Sequence, residues 1–244
     1  MENLDSMIIR EVQNNYSRIL EHISIVASTA GRDPGEIRLV VVTKGQPVEK
    51  IQSVLEAGAV ELGENYLEEA IPKIDLFRPS QGLIWHMIGH VQSRKAQGAC
   101  QTFDYVQSLD SLKLARRMSR SLDDLNSDMP CLIEFNVSGE ETKFGFPAWQ
   151  DDRWSELLPE LREIVNQPNL AIRGLMGMAP YTQNPESARP YFQRLYRLRE
   201  YLKSHVPEGD WSELSMGMSA DFEIAIQEGA TIIRLGEAIM GKRN

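Results

Sequence analysis

Two segments far apart in the chain carry the residue types that could do chemistry together. In Leu39-Val40-Val41-Val42-Thr43-Lys44-Gly45, one lysine stands at the end of an apolar, β-branched run. Much later, Ser215-Met216-Gly217-Met218-Ser219-Ala220-Asp221 is followed by Ile232-Ile233-Arg234-Leu235-Gly236-Glu237. An amine for a Schiff base, backbone N–H groups and a hydroxyl for a phosphate, and a charged group for a pyridine nitrogen are the parts of a pyridoxal phosphate site.

Each of these residues has a plainer reading beside the chemical one. Lys44 can be a nucleophile in a partly desolvated strand mouth or a solvated strand cap. Gly236 and Glu237 follow a strand and open a short helix, whose first amides attract anions, and Ser219 can add a hydroxyl. The alternatives are a plain turn at Gly236 and an ordinary N-cap at Ser219. Arg234 interrupts an apolar strand, so it needs an acceptor: a carboxylate such as Glu134, or a pyridine nitrogen. Arginine can only donate there, which leaves that nitrogen unprotonated and the ring a weaker electron sink. Asn65, in Gly63-Glu64-Asn65-Tyr66, reads equally as a ligand to a cofactor or as a helix N-cap.

The elements that must position these residues alternate along the chain. An N-terminal helix over residues 7–30 has apolar positions Ile8, Val12, Ile19, Ile23 and Val26 at helical spacing. Strands are predicted near 37–43, 59–62, 83–87, 103–107, 130–136, 169–174, 212–216 and 231–235. Helices are predicted over 47–57, 64–77, 91–100, 110–125, 151–166, 185–204 and 219–228, with a short one from Gly236. Repeated strand–helix alternation implies parallel strands with helical crossovers. Eight strands match a closed (β/α)8 TIM-type barrel with residues 1–35 as an added helical extension. An open doubly wound sheet is the competitor, but no Gly-x-Gly-x-x-Gly follows the first strand. No linker divides residues 1–244, so one domain is expected; the loop at 138–158 belongs on the catalytic face of a barrel.

Bulk properties narrow the partners. The 244 residues carry a net charge of −9, a poor match to nucleic acid or an anionic membrane. Composition is that of a soluble globular protein, with 42% hydrophobic and 25% charged residues. No apolar stretch would span a bilayer, and the polar N-terminus is unlike a signal peptide. With two cysteines, Cys100 and Cys131, outside any metal or disulfide pattern, the cytoplasm is the expected compartment. His86 and His90 have i,i+4 spacing but fall on a strand without a third ligand, so no metal is expected.

At these residues the chain closely resembles the pyridoxal phosphate homeostasis protein family, single-domain relatives of the alanine racemase N-terminal barrel. The resemblance runs through Val42-Thr43-Lys44, Gly63 to Tyr66, Trp85 to Gln92, Asn136-Val137, Lys143 to Gly145, Arg173 to Met176, Ser215 to Asp221, and Arg234 to Gly236. It implies a fold type III pyridoxal phosphate barrel with Lys44 as the Schiff-base lysine. It also implies Asn65 near the ring, Arg234 at the pyridine nitrogen, and Ser219 with the Gly236 and Glu237 amides on the phosphate. Met218, within the most specific run, is counted with the cofactor-binding residues. Glu237 stands where relatives usually carry Thr or Ser, and Arg94 where many carry Asn.

Three function classes follow. The first is a non-catalytic binder that buffers, protects or delivers the cofactor and so affects amino and keto acid balance. Its partners would be apo-enzymes that use the cofactor or a regulatory protein, and it is expected to be a monomer. The second is a racemase or decarboxylase; the related racemases carry a further β domain and a tyrosine base across a dimer interface, for which residues 1–244 offer no evident source. The third is a Schiff-base aldolase, which would be colourless. The binder is the expectation.

Overall fold

The computed structural model describes residues 4–78 and 82–242. Its first element, α1 (Leu4–Thr29), buries Val12, Ile23 and Val26 of the expected positions together with Tyr16, and Ile19 is half-buried; the Ile8 side chain lies outside those described. Eight strands then form a closed parallel ring: β1 (Arg38–Val42), β2 (Glu61–Glu64), β3 (Ile84–Met87), β4 (Tyr105–Leu109), β5 (Met129–Asn136), β7 (Leu170–Gly177), β8 (Glu213–Ser215) and β9 (Ile232–Leu235). Pairing of β4 with β5 and of β9 with β1 closes the ring. The two-residue β6 (Phe146–Pro147) adds to the outside of β5, within the loop that the sequence leaves without a strand.

The crossover helices are α2 (Val48–Glu56), α3 (Leu67–Phe77), α4 (Ala96–Thr102), α5 (Leu112–Leu125), α6 (Leu158–Val165), α7 (Arg189–His205) and α8 (Phe222–Gln227); α9 (Glu237–Met240) closes the fold. Each expected helix is present. The starts of those near 91, 151 and 185 are wound as 3-10 turns. No helix among the described residues is long and apolar enough to cross a membrane.

Strand alternation decides which residues face inward. Most apolar side chains on the strands point outward into the layer beneath the helices, a large cluster that includes Val41, Leu62, Val106, Ile133, Leu175, Ile233 and Leu235. The alternate positions fill the barrel, where Val40, Tyr105, Leu132, Met176 and Ile232 make a small separate core. Polar and charged residues share the inward positions beyond that plug, Arg38, Glu61 and Glu213 on one side and Glu134 and Arg234 on the other. This is the feature that positions the site.

Candidate functional site

Four neighbouring strands bring the sequence-predicted residues to one end of the barrel. β8 pairs with β9, β9 with β1, and β1 with β2. Ser219 lies beyond β8, Gly236 and Glu237 beyond β9, Lys44 beyond β1 and Asn65 beyond β2. All emerge at the C-terminal ends of parallel strands, the face on which barrels build their sites.

Ser219 and α9 meet across two loops. The Ala238 amide donates to Ser219 Oγ at 3.2 Å. Ser219 therefore does not cap its own helix: α8 starts after Asp221, and Ser219 reaches instead to the first turn of α9. The first amides of a helix have no intrahelical acceptor, so this turn offers donors to an anion. Chain direction here depends on Gly217, whose φ is +93° and whose missing Cβ would fall 2.5 Å from Ala225 Cβ. Asp221 then accepts from the Met218 amide at 2.6 Å, which fixes the loop carrying Met218 and Ser219. Burial raises the Asp221 carboxyl above its ordinary value, despite that amide and the charge of Arg234.

Arg234 is 4% exposed and two positions on from inward-facing Ile232. Its guanidinium donates to Ser215 Oγ and to the Gly177 carbonyl at 3.2 Å. Burial lowers it to about 10, while the charges of Glu134 and Asp221 act in the opposite sense. The carboxylate pairing expected as the plainer reading is not made: Arg234 feels the charge of Glu134 without an ion pair. Ser215 passes the chain of bonds on, to Gln107 at 2.6 Å, whose amide reaches His86 Nδ1 at 3.1 Å. With Nδ1 accepting, the His86 proton sits on Nε2 and faces Glu61 at 3.0 Å. His86, fully buried, is thus a link inside the barrel, whereas His90 lies at the rim, bonded to Asp110 at 2.6 Å and stacked on Phe144. The i,i+4 pair is divided between two environments.

Asn65 is not a helix cap either; Tyr66 holds that position, without a side-chain bond. Asn65 Oδ1 is instead buried with no hydrogen-bond partner. Its backbone is held close to Gly89, where any Cβ would come within 2.3 Å of the Asn65 carbonyl oxygen. Asn65 lines a cavity of about 390 Å³ together with Glu134, Phe144, Met178 and His90.

Glu134 is the residue whose importance sequence reasoning underrated. It is 4% exposed, and no hydrogen bond or ion pair to it occurs among the described residues. Burial, then the nearby charge of Asp110, pushes its carboxyl up to about 7, with Arg234 opposing. The available signal was a glutamate in an otherwise apolar strand, the same signal that singled out Arg234. Lys44 is half-buried, and the residues on either side of it are tied down by Glu64, Glu69 and Lys73. Met218 is half-buried and Glu237 exposed.

Comparison with known proteins agrees with the fold. The family model described as "Alanine racemase, N-terminal domain" matches residues 15–244. A pyridoxal phosphate homeostasis protein of Haemophilus influenzae is 35% identical, with 96% of each chain covered. One from Aquifex aeolicus is 38% identical over 93% of this chain and 96% of its own. The structure of PipY of Synechococcus elongatus with PLP bound superposes with a TM-score of 0.78 at 31% identity, covering 90% of this chain and all of PipY. An alanine racemase of Clostridium difficile shares the fold, with a TM-score of 0.68 at 14% identity over 93% of this chain and 56% of the racemase.

Proposed function

The chain belongs to the pyridoxal phosphate homeostasis family of alanine racemase N-terminal barrels, and from that premise we propose that it binds pyridoxal 5'-phosphate at the barrel mouth and serves intracellular vitamin B6 homeostasis without turnover. The observation that carries the reading is the convergence of an amine, a glycine-turn anion site, a buried guanidinium and an orphaned amide oxygen on four adjacent strand ends. The residues fit the cofactor. A buried acceptor without a partner, Asn65 Oδ1, is costly unless a ligand donor satisfies it.

When bound, the cofactor supplies an aldehyde open to attack by an amine and a ring able to draw in electrons. The protein's own groups do the rest. Lys44 supplies the amine. Ser219 and the amides of Gly236 and Glu237 hold the phosphate, and the Glu237 carboxylate weakens that hold. Met218 packs beside them. Arg234 donates to the ring nitrogen and, being donor-only, offers it no proton-accepting partner. That choice disfavours carbanion chemistry and suits a carrier. In this reading the protein is a cytoplasmic monomer that exchanges cofactor with solution or with apo-enzymes.

The test has two parts. Purified protein should be yellow and should activate an apo-enzyme that depends on pyridoxal phosphate. Incubated with a panel of amino acids in deuterium oxide, it should exchange Cα hydrogen no faster than free cofactor. Stereospecific, saturable exchange that disappears in Lys44→Ala would make the protein an enzyme.

A further inference from the structure

Lys73 is 8% exposed on α3, one shell behind the mouth, and its three N–H donors are all taken. Nζ donates to the Thr43 carbonyl at 2.8 Å, to Glu64 Oε1 at 2.7 Å and to Glu69 Oε1 at 2.6 Å. A saturated ammonium is a poor nucleophile, so this lysine does not compete with Lys44. Its acceptors matter more. Thr43 precedes Lys44, and its hydroxyl also donates to Glu64 Oε1 at 2.7 Å. Gly45 follows Lys44, takes a φ of +67°, and gives its amide to Glu69 Oε1 at 2.5 Å. Both peptide neighbours of Lys44 are therefore bonded into one ionic cluster rooted in β2 and α3.

The arrangement is expensive as a stabilising device. Glu64 is fully buried, its Oε2 has no partner, and burial raises its carboxyl despite Lys73 and Thr43. Buried ion pairs often stabilise no better than apolar packing would. What this one does supply is a fixed turn.

We propose that Lys73, with Glu64 and Glu69, is a positioning device that holds the Thr43-Lys44-Gly45 turn so that the Lys44 amine is presented to the aldehyde of the cofactor. The inference rests on the cofactor reading above. It assigns no contact between Lys73 and the cofactor; Lys73 acts through the backbone on either side of Lys44. A turn freed at one end lets the amine sample positions about 1 Å away, and displacements of that size cost about 10²-fold in rate in aligned reactions.

The experiment separates attachment from binding. One measurement is the rate at which a borohydride-reducible pyridoxyl group appears on Lys44, by peptide mass mapping. The other is affinity for 4-deoxypyridoxine 5'-phosphate, which has the ring and phosphate but no aldehyde. Glu69→Ala, at a half-exposed site that leaves the Lys73–Glu64 pair in place, should slow attachment about tenfold while analogue affinity stays within about twofold. Lys73→Met should slow it further, and Lys73→Arg should restore part of the rate. If Lys73→Met does not fold, Glu69→Ala decides. An unchanged attachment rate in Glu69→Ala, or a rate and an analogue affinity that fall in step, overturns the positioning role. A wild-type protein that takes up neither compound overturns the cofactor reading itself, and the positioning role with it.

Discussion

At the base of the barrel, Arg38 grips Glu61 with two hydrogen bonds of 2.9 Å and Glu213 with a third. Tyr105 donates to the other Glu213 oxygen, and His86 faces Glu61. At the mouth, on the same inward-facing rows, Asn65 Oδ1 has no partner and Glu134 none among the described residues. The two ends are built from similar residue types on strands of one ring. What differs is satisfaction. The base uses its charges to offset their own burial, whereas the mouth leaves acceptors open, as a ligand site does.

The carboxylates record the contrast. Burial acts against ionisation of Glu61, yet hydrogen bonds from His86 and Arg38 prevail and bring it down to about 2. Burial of Glu134, reinforced by Asp110, is opposed only by the charge of Arg234, and it rises to about 7. The base should therefore be broken by losing a partner, and the mouth by losing a ligand contact.

The largest expected effect is at the mouth. Lys44→Ala should abolish the visible absorption and the reducible pyridoxyl label while the melting temperature of the cofactor-free protein stays close to wild type. Label found on Lys50, Lys73 or Lys95 in the wild type would place the reactive amine elsewhere and dissolve the comparison. At the base, Arg38→Met leaves Glu61 and Glu213 without their cation. It should destabilise by about 3 kcal/mol in urea denaturation, with cofactor retention unchanged in the folded fraction. A loss of cofactor without loss of stability would show that the base belongs to the site.

Acid stability should show both ends with opposite signs. A depressed Glu61 contributes stability above its ordinary value of 4.5, lost as pH falls toward about 2. A raised Glu134 costs stability as pH climbs from 4.5 through about 7, on the order of 3 kcal/mol in the cofactor-free protein. Glu134→Gln should flatten the second limb only; a wild-type curve with no fall between those values would mean that Glu134 has a partner in solution. Arg234→Gln should shift the spectrum of the bound cofactor and weaken its retention, and an unchanged spectrum would leave the arginine to the fold. Smallest is Ser219→Ala, which should weaken retention by about 1 kcal/mol, one hydrogen bond to a charged acceptor. Glu237→Thr should strengthen retention by less than that, more visibly at low salt.

Hydrophobic periodicity makes most of the fold legible in the amino-acid sequence. A β-branched run of four to eight residues reads as a strand because it is buried, and alternation with amphipathic helices leaves few ways to connect parallel strands. Boundaries slip where the pattern is thin: β2 and β4 start two residues later than predicted, and β6, only two residues long, has no pattern to display. Arg234 and Lys44 stand out for the same reason, since a charge in an apolar strand demands an explanation.

Tertiary structure alone settles which explanation applies. The sequence could offer Glu134 as a partner for Arg234, but only the packed barrel gives that place to Ser215 and the Gly177 carbonyl and leaves Glu134 without a hydrogen bond among the described residues. Likewise a helix-cap role is open to Asn65 and to Ser219 in the sequence, whereas in the fold the first is buried without a bond and the second reaches the neighbouring loop. The Lys73 cluster joins β1, β2 and α3 through contacts of 2.5–2.8 Å that no local pattern encodes. Burial of one face is a local demand that composition and spacing can express. Hydrogen-bond partnership depends on which strand lies beside which, and that is fixed only when the ring closes.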